Sequence, residues 1–215
     1  MWNGESEPMR KRISIILNIL IVIFVCIGTY MMFHPTQNGV ALASRGFKNF
    51  RYFTVLSNEF CGIVAILWLI FTALGKRFPV LVKLMGAASV GLTFVVIAFF
   101  LAPMYPSLNL YEGGNFWFHL IVPVTGMVEF CALKNENRIP LKYAAISAVL
   151  SVVYGNYYVG NILINGKGEW PDTNDWYGFL NWGYPVGIGI FAFVVLLNFA
   201  VACLLRWINN KVNSK

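Results

Sequence analysis

The sequence predicts an all-α polytopic membrane protein with six transmembrane helices and both termini in the cytoplasm. Hydrophobic residues make up 58% of the 215 residues and charged residues only 12%, whereas a soluble domain carries about 25% charged residues. The mean hydropathy is +0.66, and aromatic residues account for 16% of the chain, which excludes a disordered protein. A chain of this composition cannot cover a soluble surface of its own size, so we expect an integral membrane protein.

Six apolar segments are long enough to span a bilayer, because roughly 20 helical residues cross its ~30 Å hydrocarbon core. They are predicted at residues 13–33, 51–74, 80–102, 115–133, 141–164 and 184–207, and together they form one six-span domain over residues 1–215. The first segment follows the basic cluster Arg10-Lys11-Arg12, as a signal peptide would. Its apolar run is longer than that of a signal peptide and no Ala-x-Ala site follows, so we predict a retained helix.

The distribution of basic residues predicts the orientation of the spans. Placing the termini and the 2–3 and 4–5 connections on one side gives that side twelve of the 16 Lys and Arg residues, Lys83 among them. Cations accumulate on the cytoplasmic side of membrane proteins, so this side is predicted to be cytoplasmic. The net charge of +7 then reflects anchoring at lipid head groups, and no nucleic-acid partner is expected.

The outer connection between spans 5 and 6, residues 165–183, is the longest and is rich in aromatic residues. It contains Trp170, Trp176, Tyr177 and Trp182 among Pro, Gly, Asn and Asp. Trp and Tyr commonly form a belt at the membrane interface. The alternative interpretation is a lid over a cavity that opens to the outer leaflet.

Thr54 and His119, near the outer ends of spans 2 and 4, are the candidate catalytic residues. Each lies about 5 Å inside its predicted helix, so they are expected at one level in a shallow cavity. Both occupy a first turn, where the positive helix macrodipole stabilises an oxyanion and favours the neutral imidazole of a general base. A membrane Thr more often bonds to its own helix or a neighbouring one, so spacing alone does not establish a site.

The residues around these two positions resemble a known family. Tyr52-Phe53-Thr54-x-x-Ser57-Asn58 begins span 2, His119 is followed by Pro123 in span 4, and Tyr184-Pro185 begins span 6. With these motifs the chain resembles the family of androgen-induced and androgen-dependent membrane proteins and their bacterial relatives. The resemblance covers nearly the whole six-span chain. The eukaryotic members are threonine-dependent hydrolases of fatty acid esters of hydroxy fatty acids, in which one Thr and one His are essential.

The resemblance implies that Thr54 is the nucleophile and His119 the general base of a hydrolase acting on lipid esters from the outer leaflet. It implies no metal and no other cofactor. Ser57-Asn58 belongs to the bacterial pattern, so a bacterial cell membrane is the expected location, and for this branch the resemblance does not define the substrate.

Other polar residues near Thr54 and His119 complete the predicted site. The candidates for stabilising the oxyanion or positioning the substrate are Asn58, Ser57 and Asn115. Three cations precede Thr54 on the side where cations are otherwise scarce, and we expect them to hold an anionic group of the substrate: Arg45, Lys48 and Arg51.

Two other classes of function remain open at this level. A non-catalytic protein that binds or transports a lipid or amphiphile would use the same cavity, with Glu59 and Glu129 as interior hydrogen-bonding groups. A haem protein would use His34 and His119 as axial ligands, and a Soret band in the purified protein would reveal it. The expected partners are the membrane and a lipid, and the oligomeric state does not follow from the sequence.

Overall fold

A computed structural model describes residues 3–34, 46–135, 137–169 and 173–214, with side chains from Met9 onward. Within these ranges all regular structure is helical, and six helices are long and apolar enough to span a membrane. They are α1 (Asn3–Phe33), α2 (Phe53–Ala73), α3 (Val80–Met104), α4 (Gly114–Ala132), α5 (Leu141–Asn165) and α6 (Tyr184–Asn213). The six predicted spans are confirmed, and α6 continues beyond its predicted end at residue 207.

The helices pack as one bundle in which α3 is the most central. It packs against α2, α4, α5 and α6, while α1 packs against α2 and α4. Because the number of helices is even, the N-terminus of α1 and the C-terminus of α6 lie at the same end of the bundle, here named the terminal end. The opposite end is named the cavity end. Short 3₁₀ segments at Gly46–Arg51 and Phe179–Trp182 precede α2 and α6 there.

Two helices widen into a π-helical turn, at Ile97–Leu101 in α3 and at Trp117–Ile121 in α4. Each turn lies two residues before a proline, Pro103 or Pro123. Proline lacks an N–H, and its ring clashes with the carbonyl four residues earlier, so the α-helical pattern cannot run through it unchanged. The wider turn relieves this conflict. As a result α3 continues past Pro103, although the sequence predicts its end at residue 102.

A buried ion pair joins three helices near the terminal end. Lys83 Nζ lies 2.6 Å from Glu129 Oε2 and donates a hydrogen bond of 2.7 Å to Asn18 Oδ1. Asn18 Nδ2 in turn donates to Glu129 Oε1 at 2.7 Å, and all three side chains are buried. This corrects the prediction that Lys83 anchors the bundle at lipid head groups, because a carboxylate and an amide take the place of water around its ammonium group.

The orientation of the bundle in the membrane remains a prediction from the basic residues. In a cysteine-free protein in intact cells, a single cysteine at the exposed position 169, just beyond α5 at the cavity end, should react with an impermeant thiol reagent. The matched variant Ser214→Cys, at the terminal end, should react only after permeabilisation, because the termini are predicted to be cytoplasmic. The reverse pattern would place the cavity end inside the cell.

Candidate functional site

A cavity of about 530 Å³ lies at the cavity end, and all six helices contribute to its wall. Most of the lining is apolar or aromatic, as in Leu92, Phe100 and Phe191. The polar lining groups include both Thr54 and His119. Small-molecule sites typically have about 300–1,000 Å³ and an apolar wall with a few polar groups, so the cavity has the size and composition of a site for a largely apolar ligand.

Thr54 is the second residue of α2. At this position the helix itself offers no carbonyl four residues earlier to accept a hydrogen bond from the threonine hydroxyl. Thr29 and Thr125, further along their helices, donate their hydroxyls to the carbonyl four residues earlier, at 2.8 and 2.7 Å. The residue four before Thr54 is Phe50, which belongs to the preceding 3₁₀ segment. Within the described ranges the Thr54 hydroxyl forms no hydrogen bond, and its side chain lines the cavity.

His119 lies in the π turn of α4 and is 6% exposed. Its Nδ1 is 2.5 Å from the backbone carbonyl oxygen of Leu110. Because a carbonyl only accepts hydrogen bonds, this contact assigns the hydrogen of a neutral ring to Nδ1 and leaves the lone pair on Nε2. A neutral imidazole with a free Nε2 is the form that acts as a general base.

The carbonyl that orients His119 is itself held by packing. Leu110 is 1% exposed and packs against Ile97 in the π turn of α3, with Leu101 and Leu108 beside it. Both π turns therefore help to place His119. The turn of α4 carries His119 itself, and the turn of α3 packs against Leu110, whose carbonyl orients the His119 ring. A backbone carbonyl here takes the orienting position that an acidic side chain holds in a Ser-His-Asp triad.

The connection between α5 and α6 covers part of the cavity. Trp176 is buried, and its indole N–H donates to the Tyr154 hydroxyl at 3.0 Å. Three further aromatic residues of this connection line the cavity: Tyr177, Phe179 and Trp182. The contacts favour the lid interpretation for this described part of the connection, while Trp170 lies outside the described residues.

Tyr177 fastens this lid to the beginning of α2. The backbone N–H of Phe53, the residue before Thr54, donates to the Tyr177 hydroxyl oxygen at 2.8 Å. Burial raises the pKa of Tyr177 to about 12, so the phenol is neutral near pH 7. The first N–H groups of a helix have no acceptor inside the helix. The Tyr177 hydroxyl of the lid is the acceptor for one of them, that of Phe53.

Two of the three predicted anion-binding cations lie in the described part of the chain, and neither of them lines the cavity. The Arg51 guanidinium lies 5.1 Å from the ring centroid of Tyr52 and 5.6 Å from that of Trp176, and Nη2 donates to the Tyr52 hydroxyl at 3.1 Å. Lys48 is also outside the lining, and Arg45 lies outside the described residues. The cation–π packing corrects the role predicted for Arg51, because it holds the guanidinium away from the cavity, whereas the role predicted for Lys48 stays a prediction.

Of the three predicted polar helpers, Asn115 lines the cavity and the other two do not. Ser57 Oγ donates to the Thr54 carbonyl at 3.0 Å and lies 3.0 Å from Thr93 Oγ1. Asn58 is completely buried, and its amide donates to the carbonyls of Thr54 and Phe118, at 2.7 and 3.0 Å. Asn58 therefore has no amide hydrogen left for an oxyanion, which corrects its predicted role.

Sequence reasoning did not identify Leu110 as part of the site, and it named Tyr177 only among the aromatic residues of a possible lid. Leu110 contributes a backbone carbonyl, which leaves no side-chain signal in the sequence, and Tyr177 was one aromatic residue among several. Pro123 carried a usable signal, because a proline in the middle of a span predicts a distorted turn close to it.

The site joins a threonine hydroxyl that has no hydrogen-bond partner in the described ranges, a histidine ring held by a backbone carbonyl and the side chain of Asn115 in one largely apolar cavity. His34 also borders this cavity, with its ring stacked on Tyr30 at a centroid distance of 4.4 Å. These groups suit proton transfer from a hydroxyl followed by nucleophilic attack. No protein-family model, curated protein or solved structure matches the chain.

Proposed function

We propose that the protein is an intramembrane hydrolase of lipid esters, with Thr54 as the nucleophile and His119 as the general base. The observation that carries the proposal is that these two side chains, from α2 and α4, line the same largely apolar cavity. The resemblance to the androgen-induced and androgen-dependent membrane proteins supports the same two residues. We take the substrates of the eukaryotic members, fatty acid esters of hydroxy fatty acids, as the proposed substrates, and a bacterial cell membrane as the proposed location.

In the first step, His119 Nε2 removes the proton of the Thr54 hydroxyl as Oγ1 attacks the ester carbonyl carbon. The tetrahedral intermediate collapses, the bond to the alcohol oxygen breaks, and the imidazolium returns its proton to the leaving alcohol. The product left on the protein is an acyl-threonine ester. The Leu110 carbonyl keeps the ring in one orientation throughout, because it accepts the Nδ1 hydrogen.

In the second step, His119 Nε2 accepts a proton from a water molecule that attacks the acyl-threonine carbonyl. The bond to Thr54 Oγ1 breaks, the threonine regains its proton from the imidazolium, and a fatty acid leaves. The oxyanion of each step lies near the positive end of α2, and the Asn115 side chain supplies a donor from the cavity wall. Such a donor typically contributes roughly 3 kcal/mol to lowering the barrier.

Covalent labelling tests this proposal directly. The purified protein, in detergent, is treated with a lipid-tailed fluorophosphonate, in which an activated hydroxyl displaces fluoride from phosphorus. We expect mass spectrometry to find the label on Thr54, and we expect Thr54→Ala and His119→Ala to prevent labelling. Thr125→Ala is the matched control, because this hydroxyl donates to its own helix. Absence of label, or label that persists in Thr54→Ala, contradicts the proposal.

The mainly apolar lining favours a second candidate function, the binding or transport of a lipid without catalysis. In that case the cavity would bind a fatty-acid or lipid probe with the same affinity in the wild type and in Thr54→Ala, and neither protein would be labelled. Binding measured by fluorescence alongside the labelling experiment therefore separates the two functions.

A further inference from the structure

Pro123, just after the π turn in α4, removes the helical donor that the Phe118 carbonyl would otherwise have. Within the turn the bonds run to the residue five earlier, as from the N–H of Val122 to the carbonyl of Trp117. The carbonyl of the next residue, Phe118, would receive the N–H of residue 123 in the same pattern. That residue is Pro123, which has no N–H, so the Phe118 carbonyl needs a donor from elsewhere in the bundle.

Asn58 on α2 is that donor. Its Nδ2 lies 3.0 Å from the Phe118 carbonyl oxygen and 2.7 Å from the Thr54 carbonyl oxygen, and the side chain is completely buried. Its Oδ1 is buried without a partner in the described part of the chain. The amide therefore acts through its two hydrogens, and both point to backbone next to the proposed catalytic residues.

The ring of Phe118 is fixed as well as its carbonyl. Phe118 is completely buried, and its ring occupies the space that a side chain at Gly28 would need, since a Cβ built there would lie 2.4 Å from the ring. The residue directly before His119 is thus held by α1 through its ring and by α2 through its carbonyl. A rotation of the π turn would move His119, and both the packing of the Phe118 ring and the hydrogen bond to its carbonyl oppose such a rotation.

We infer that Asn58 is a positioning residue that sets the distance between the Thr54 hydroxyl and the His119 ring. This inference rests on the proposed hydrolase function. One amide binds the carbonyl of Thr54 itself and the carbonyl of the residue preceding His119, so it connects the turns of α2 and α4 that carry the two groups. Asn58 touches neither the substrate nor the reacting atoms.

Kinetics of Asn58→Leu test the inference against a closely matched control. Asn209 on α6 is also completely buried, and its amide likewise donates to two carbonyls at α4, those of Phe130 and Leu133. Phe130 lies eleven residues after His119, about 16 Å along the helix. Both substitutions remove two buried hydrogen bonds from a side-chain amide to backbone carbonyls, so both are expected to lower Tm.

Only Asn58→Leu is expected to lower kcat, by roughly 10²-fold, because a displacement of about 1 Å at reacting groups has an effect of this size. KM should change little, since Asn58 does not line the cavity. Asn209→Leu should retain the wild-type kcat per folded molecule. Equal kcat values in the two variants would overturn the inference.

Cross-linking measures the geometry independently of catalysis. Thr54→Cys and His119→Cys are combined in a cysteine-free protein, and the pair is treated with a short bifunctional maleimide. We expect the yield of the intramolecular cross-link to fall when Asn58→Leu is added and to stay unchanged with Asn209→Leu. If the wild type hydrolyses no ester, the proposed function fails, and an unchanged yield with Asn58→Leu overturns the positioning inference separately.

Discussion

Replacing Thr54 by alanine is expected to reduce ester hydrolysis by roughly 10³-fold or more, and replacing His119 by alanine should have a similar effect. Thr54→Ala removes the proposed nucleophile, and His119→Ala removes the proposed base that accepts its proton. The measurement is hydrolysis of a fluorogenic acyl ester and of a hydroxy-fatty-acid ester by the purified protein in detergent.

The double variant and a conservative variant sharpen this prediction. Thr54→Ala combined with His119→Ala should be no slower than either single variant, because the two groups act in one covalent step. Thr54→Ser should keep part of the activity, since a hydroxyl remains at the same helical position. Full activity in Thr54→Ala, or turnover of neither ester by the wild type, would leave lipid binding or transport as the better account.

Breaking the buried ion pair is expected to have the largest effect on stability. Glu129→Gln leaves the Lys83 ammonium without its carboxylate at 2.6 Å, and removing one partner of a buried pair costs about 3–5 kcal/mol. The free energy of unfolding in detergent measures this loss. Lys83→Met together with Glu129→Leu should recover most of it, because no charge then remains buried.

Hydrolysis by the folded fraction of Glu129→Gln should stay near the wild-type value. Glu129 lies ten residues after His119, about 15 Å along α4, which is too far to touch the ester or to orient the ring. An unchanged free energy of unfolding would show that the pair contributes little, and a specific activity that falls in step with Thr54→Ala would give Glu129 a role in catalysis.

Much of the fold follows from the sequence because the bilayer imposes one length and one polarity on every span. Six apolar runs predicted six helices, and the described part of the structure contains all six. The end of α3 differed because a helix can continue past Pro103 by widening into a π turn. Whether a proline ends a helix or distorts it depends on the neighbouring packing, which a single sequence does not reveal.

The candidate site was predictable in part, for a geometric reason. Counting residues from the ends of spans 2 and 4 placed Thr54 and His119 at one depth, and the two line one cavity. Counting does not give the direction of a side chain across a helix interface. The sequence therefore predicts that Asn58 contacts the substrate, whereas its amide donates to two backbone carbonyls. It predicts that Arg51 binds an anion, whereas its guanidinium packs on two aromatic rings.

The position of the Lys83–Glu129 pair affects whether a molecule can pass from the cavity through the bundle to the terminal end. The cavity occupies the end away from the termini, while the pair and the packed cluster around Leu84 and Phe130 fill the terminal end. A path across the bundle would require separating two opposite charges in a medium of low dielectric constant, which costs several kcal/mol. We therefore expect a molecule bound in the cavity, and any product formed from it, to enter and leave at the cavity end.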